Sequence, residues 1–175
     1  EDDVRINKLT AEGLLAGISL DTKNFAFKTG VRTFEAASYL KKSGADTIEV
    51  KKLFNSDIKD FITKAEIIQN AKVINNNICL AYTKTETDNI NIVIAQAADE
   101  LLNIKEVEAS FVLARKDDRV FISARSLGNI NVHVLMENLG GGGHRDMAGA
   151  QLDTSLEKAY EMVKDTIQTY IKEEE

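Results

Sequence analysis

In VEASFVLARKDDRVFISARS, residues 107–126, two alternating runs meet at a polar turn. Val107–Arg115 and Arg119–Ser126 alternate apolar with polar side chains on either side of Lys116-Asp117-Asp118, and that pattern predicts a β-hairpin. Working outward, Ile78–Thr83 alternates behind Asn75-Asn76-Asn77 and predicts a further strand. Ile90–Leu102 is apolar enough for a mostly buried helix. Val132–Leu139 predicts a short helix ending at Gly140, and Ala148–Leu152 another strand. Thr154-x-x-Glu157 has the capping-box pattern, followed by Leu156, Ala159, Tyr160, Val163, Ile167, Tyr170 and Ile171 on one helical face. The order β-α-β-β-α-β-α argues for an α/β fold in which a mixed sheet is covered by helices.

Upstream the period is helical. Thr10 is a plausible N-cap for a helix carrying Leu14, Leu15 and Ile18 and ending at Asp21-Thr22. A second helix is expected over Thr33–Lys42, with Gly44 at its end. From Val50 to Ile68 apolar residues recur at spacings of three and four, interrupted by the capping chemistry of Asn55-Ser56-Asp57, so one helix or two satisfy the pattern. The resulting division is residues 1–48, a linker-helix region at 49–72, and a sheet domain at 73–175. Residues 1–48 offer apolar helix faces without a strand. They pack on the later sheet, or they are the tail of a domain whose beginning lies outside this chain.

Composition excludes several classes. The 175 residues include 22 Lys and Arg, 28 Asp and Glu, one Cys and no Pro. A single cysteine rules out a disulfide framework, and Cys79 lies in the apolar Ile78-Cys79-Leu80-Ala81 as a core residue of a reduced interior. No apolar run reaches the roughly 20 residues of a membrane span, and Glu1-Asp2-Asp3 is unlike a signal peptide. The net charge of −6 is concentrated in residues 151–175, leaving the rest near neutral. A near-neutral surface does not suit long nucleic acid, which is held by many Lys and Arg contacts.

The strongest chemical signal is LGGGGHRDMAGA, residues 139–150. Four consecutive glycines remove every Cβ, so backbone N–H groups can approach an anion closely, whereas a simple turn needs only one or two. No Lys-Ser/Thr follows, so this is not a Walker A loop, and the preceding helix argues against a dinucleotide fingerprint. His144 directly after the run can bond a phosphate or stack on a base. Phe121–Ser126 ends in Arg125-Ser126, where an Arg fork suits phosphate and a solvated strand-end Arg fits equally well. Asn129 and Asn131 suit capping, and His133 a surface or packing role. Asp21 closes an apolar run and has a cap role or a metal role. One Asp and two His do not complete a two-metal centre.

Together these stretches resemble the DHH phosphoesterase superfamily, in particular its cyclic-di-AMP phosphodiesterases of the GdpP type. AGISLDTKNFAFKTGVRTFEAASYLKKSGAD, residues 16–46, is similar to the last motif of the DHH catalytic domain, and FKTGVRTFEAASYL within it points to the GdpP type. SARS at 123–126 and GGGGHRDMAGA at 140–150 are similar to the DHH-associated substrate domain. The resemblance implies a helical remnant of the DHH domain, a linker helix and a substrate-binding sheet domain. It implies substrate-binding positions at Arg125, Ser126, Gly141, Gly142, Gly143 and His144, and a metal position at Asp21. The Asp-His-His triplet and the other ligands have no counterpart, so no catalytic residue is expected in this chain. The implied activity is manganese-dependent hydrolysis of cyclic di-AMP to a linear dinucleotide, with two Mn²⁺ ions in an intact enzyme anchored to the bacterial membrane and this part cytoplasmic. Implied partners are a cyclic dinucleotide, an upstream DHH segment and a second copy of the chain. A nanoRNase acting on short oligonucleotides and a non-catalytic cyclic-dinucleotide-binding module are the alternatives.

Overall fold

A computed structural model of the chain describes residues 6–27, 29–75 and 77–174. The chain forms two compact units, Glu1–Ser56 and Asp57–Glu175.

The first unit holds α1 (Lys8–Asp21), α2 (Val31–Lys42) and α3 (Thr47–Lys52). Its core is small: Ala11, Leu15, Leu40, Ala45 and Val50. The N-cap of α1 is Asn7, whose Oδ1 accepts from the Thr10 N–H at 2.8 Å, so the helix starts earlier than the Thr10 cap predicted from sequence. Asn and Thr are both capable caps, and the choice depends on which one the chain holds extended. Leu15 is buried within this unit, whereas Leu14 is 51% exposed. The apolar stripe of α1 is thus only partly covered by α2 and α3. After Thr22 the chain takes three successive left-handed residues, Lys23, Asn24 and Phe25, at φ 46, 56 and 66. The Phe25 N–H is held there by the Thr22 hydroxyl.

The second unit begins at α4 (Ile58–Gln69), capped by Asp57, whose carboxylate accepts from the Asp60 N–H. Residues 49–72 therefore hold two helices, of which α3 falls in the first unit and α4 in the second. Then follow β1 (Lys72–Ile74), β2 (Ile78–Thr83), α5 (Ile90–Leu101), β3 (Ala109–Lys116), β4 (Arg119–Ser126), α6 (Val132–Glu137), β5 (Gly142–His144), β6 (Met147–Leu152) and α7 (Leu156–Glu174). The sheet order is β1-β2-β3-β4-β6-β5, with β2 and β3 parallel across the α5 crossover and the other pairs antiparallel. A mixed sheet covered by helices was the sequence expectation, and the structure has it.

Two strands escape sequence reading. β1 is too short to alternate, and β5 is glycine-rich, so it has no side-chain pattern to read. Side chains of the sheet alternate between two cores, because successive residues of a strand point to opposite faces. Cys79, Ala81, Val112 and Ala114 pack under α5, and burial pushes the Cys79 thiol above its ordinary range. Leu80, Phe111, Leu113, Ile122 and Ala124 pack with α6 and α7. Helix α5 packs mainly on β3 and β4. On its side, β6 and β5 are left open, and Met147 and Gln151 are exposed there.

Candidate functional site

The glycine run does not form a loose loop. Gly140 sits at φ 75, its N–H bonded to the Glu137 carbonyl, while the Gly141 N–H bonds the Met136 carbonyl. That pair of bonds is a Schellman ending for α6, and it consumes the Gly141 N–H. Gly142 and Gly143 then enter β5, opposite Gly149 and Ala148 of β6. A Cβ on Gly141 would lie 2.2 Å from the Gly149 carbonyl oxygen, and one on Gly143 would lie 2.4 Å from that of Met147. Gly143 is also at φ 149, a backbone state that other residues rarely adopt. Three of the glycines are thus required by the fold, as a helix stop and two close strand approaches. Gly142 alone has neither a positive φ nor a neighbour within 4 Å of an added Cβ. The expectation of a four-glycine anion loop narrows to one bare position.

Register decides which side chains meet. Paired residues of adjacent strands share a face, so Arg125, Met147 and His144 form one row across β4, β6 and β5. Ser123, Gly149 and Gly142 form the next row, and Phe121 with Gln151 the one after. All of them face the α5 side. Ser126, one residue beyond Arg125, turns to the other face and is buried. Its Oγ accepts from the Gly128 N–H at 2.9 Å, and the Gly128 carbonyl in turn accepts from Arg145 Nε. The Ser126 N–H bonds the Asp146 carbonyl and the Val132 N–H bonds that of Arg145. Ser126 therefore braces the turn that carries His144, which is itself exposed.

Arg125 is buried beneath α5 rather than solvated at a strand end. Its Nη1 donates to Ser123 Oγ and to the Ala124 carbonyl, each at 3.0 Å. Its Nε lies 3.4 Å from Asp99 Oδ1 of α5 and has no hydrogen bond. Opposite Arg125 in β3, Ser110 donates its hydroxyl to the Ala98 carbonyl and ties the same helical turn to the sheet. Asp99 is a partner that sequence reading missed. The available signal was an acidic residue on a helix otherwise apolar toward the sheet.

Further along the face, a cleft of about 510 Å³ opens between α5, β4, β6 and the start of the glycine run. Asn91, Phe121, Gly149 and Gln151 are among its lining residues, together with Gly140 and Gly141. Its size falls within the roughly 300–1,000 Å³ of small-molecule sites.

Asp21 is exposed at the last position of α1. Among the described residues no group of three or more His, Cys, Asp and Glu side chains comes together as a metal-ligand set. The residues present do not fit a two-manganese centre. His133 pairs with Glu137 at 3.3 Å on α6 and takes no part in the face.

Residues 75–173 match the DHHA1 domain. The chain belongs to the DHHA1 domain family. This DHHA1 chain is 45% identical over 173 residues to "Cyclic-di-AMP phosphodiesterase GdpP" of Bacillus subtilis, covering 97% of the chain and 26% of that protein. It is 41% identical to "Cyclic-di-AMP phosphodiesterase PdeA" of Listeria monocytogenes, again over 97% of the chain and 26% of the relative. The chain thus spans about a quarter of the length of these relatives. Among solved structures, an exopolyphosphatase-related protein from Bacteroides fragilis superposes with a TM-score of 0.84 at 22% identity, over 94% of this chain and 51% of that one. That likeness concerns the fold. No helix among the described residues of this DHHA1 chain is long and apolar enough to cross a membrane.

Proposed function

We propose that this chain is the substrate-binding portion of a cyclic-di-AMP phosphodiesterase, and that the α5 face of β4, β6 and β5 holds the dinucleotide. The observation that carries the reading is geometric. A bare backbone position at Gly142, an exposed His144 and the buried Arg125 share one face of the sheet, open at β5 and β6 and covered by α5 at Arg125. The names borne by the relatives supply the substrate class. A phosphate resting on Gly142 meets backbone rather than side chain, and His144 offers it a ring N–H. Arg125 lies in the row of His144, beside Met147, held in place by Ser123 and Asp99, and supplies fixed positive charge. Gly141, Gly143 and Ser126 support binding through the fold, by shaping β5 and its turn.

The hydrolytic step belongs to the intact protein. There, manganese ions would activate water and neutralise charge on the phosphoryl oxygens, with Asp21 as one ligand and the remainder supplied from an upstream DHH segment. Membrane anchoring, a cytoplasmic location for this part and pairing with a second copy are parts of the same proposal. By itself the chain is expected to bind without turning over, since a single carboxylate is a poor site for Mn²⁺.

Calorimetry with cyclic di-AMP tests the reading. Arg125→Ala should weaken binding by about 1.5–3 kcal/mol, the range of a hydrogen bond to a charged group. Arg125→Lys keeps the charge but loses the planar fork, so it should recover only part of the affinity. Wild-type affinity in a folded Arg125→Ala variant would sink the assignment.

A further inference from the structure

The cleft beyond the glycine row has a composition of its own. Asn91 from the first turn of α5 and Gln151 from β6 are both exposed at its walls, and Phe121 lies between them on β4. Phe121 and Gln151 are direct partners across β4 and β6. No hydrogen bond within the described residues engages either amide side chain. Four strand residues separate the Phe121 row from the Arg125 row, roughly 13 Å at about 3.3 Å per residue. Helix α5 keeps pace alongside. Asn91 and Asp99 are eight residues apart, about 12 Å of helix rise, so Asn91 stands abreast of Phe121 where Asp99 stands abreast of Arg125.

We infer that this cleft is the nucleobase subsite of the face, and that it takes adenine through Asn91 and Gln151 with Phe121 as the apolar wall. The inference rests on the dinucleotide reading and adds to it where a base sits and what reads it. An amide presents one donor and one acceptor side by side, which matches the N6–H₂ and N7 edge of adenine. The O6 and N7 edge of guanine calls for two donors, the role of Arg or Lys. None of the residues lining the cleft is Arg, Lys, Asp or Glu. An aromatic ring against an otherwise polar and backbone wall is the usual setting for an unstacked base. Gly142 lies in the Ser123 row, about 7 Å along the strands from Phe121, and His144 in the Arg125 row, about 13 Å away, a span that accommodates one nucleoside between a base at Phe121 and a phosphate held between Gly142 and His144.

Both amides are exposed, so their removal leaves the core untouched, and thermal unfolding verifies this. Asn91→Ala and Gln151→Ala should each weaken cyclic di-AMP binding by about three- to tenfold, the worth of a neutral hydrogen bond. Each should also narrow the preference for cyclic di-AMP over cyclic di-GMP. Amide NMR shifts of Gly142–His144 on adding inorganic phosphate should be the same in wild type and variants. If wild-type chain binds cyclic di-AMP and both variants bind it equally well, the base subsite is wrong and the dinucleotide reading stands. If wild-type chain binds no cyclic dinucleotide, both are wrong.

Discussion

Within the run 140–143, Gly142 is the glycine whose missing side chain the protein's own packing leaves unexplained. Its neighbours answer to sterics: an added Cβ at Gly141 or Gly143 would collide with β6 backbone at 2.2 and 2.4 Å. Gly141→Ala and Gly143→Ala should therefore each destabilise the fold by about 1–3 kcal/mol or more, as overpacking does. Gly142→Ala should stay within about 0.5 kcal/mol of wild type, like other open surface positions. Thermal unfolding separates the two groups, since about 1 kcal/mol moves Tm by roughly 2–4 °C in a chain of this size. If Gly142→Ala proves as damaging as its neighbours, the bare position is structural after all. Much of the candidate site was legible in the sequence, because a glycine run, a histidine and an arginine are distinctive residue types. Their division of labour was not legible. Whether a glycine ends a helix, admits a strand or faces a ligand depends on φ and on the partner strand, and neither is local to the motif. Nor does local sequence tell that Arg125 faces Asp99 while Ser126 faces away.

At the scale of elements, periodicity carried most of the reading. β2, the β3–β4 hairpin, α5 and α7 stand where alternation and apolar stripes put them. Element ends were harder, because adjacent residues compete for the same capping role. At α7 the Oγ of Ser155, not that of Thr154, accepts from the Lys158 N–H, at 3.2 Å. Ser155→Ala should cost about 0.5–2 kcal/mol and Thr154→Ala little, as judged by Tm. Equal losses would return the cap to Thr154. Two residues on, Glu157 lies in the first turn of α7, and its carboxyl titrates below its ordinary value because its own backbone N–H and then Lys84 favour the anion. The stabilisation it supplies is complete above that ordinary value of 4.5 and is lost as pH falls through the lowered one. Lys84 and Glu157 are both largely exposed, 3.1 Å apart, so the effect is small and screened by salt. Glu157→Gln should lower Tm slightly at neutral pH, and the difference should close as pH falls below 4.5. A gap that widens on acidification would contradict the pairing.

At the scale of the whole molecule, the two units differ in how much core they own. Among its described residues the first unit buries five hydrophobic ones and leaves Leu9, Leu20, Val31 and Ile48 more than 60% exposed. The second builds a core on each face of a six-stranded sheet, leaving the α5 side of β6 and β5 uncovered. Local opening free energy follows buried apolar contact, so backbone amides of α1–α3 should exchange faster than those of β2–β4. Hydrogen exchange read by mass spectrometry also tests the central claim when it is repeated with saturating cyclic di-AMP. Binding at the proposed face should slow exchange at residues 140–151 and in the first turn of α5, since a ligand that binds only the folded state stabilises what it touches. No change in those segments at saturation, or protection confined to other parts of the chain, would contradict it.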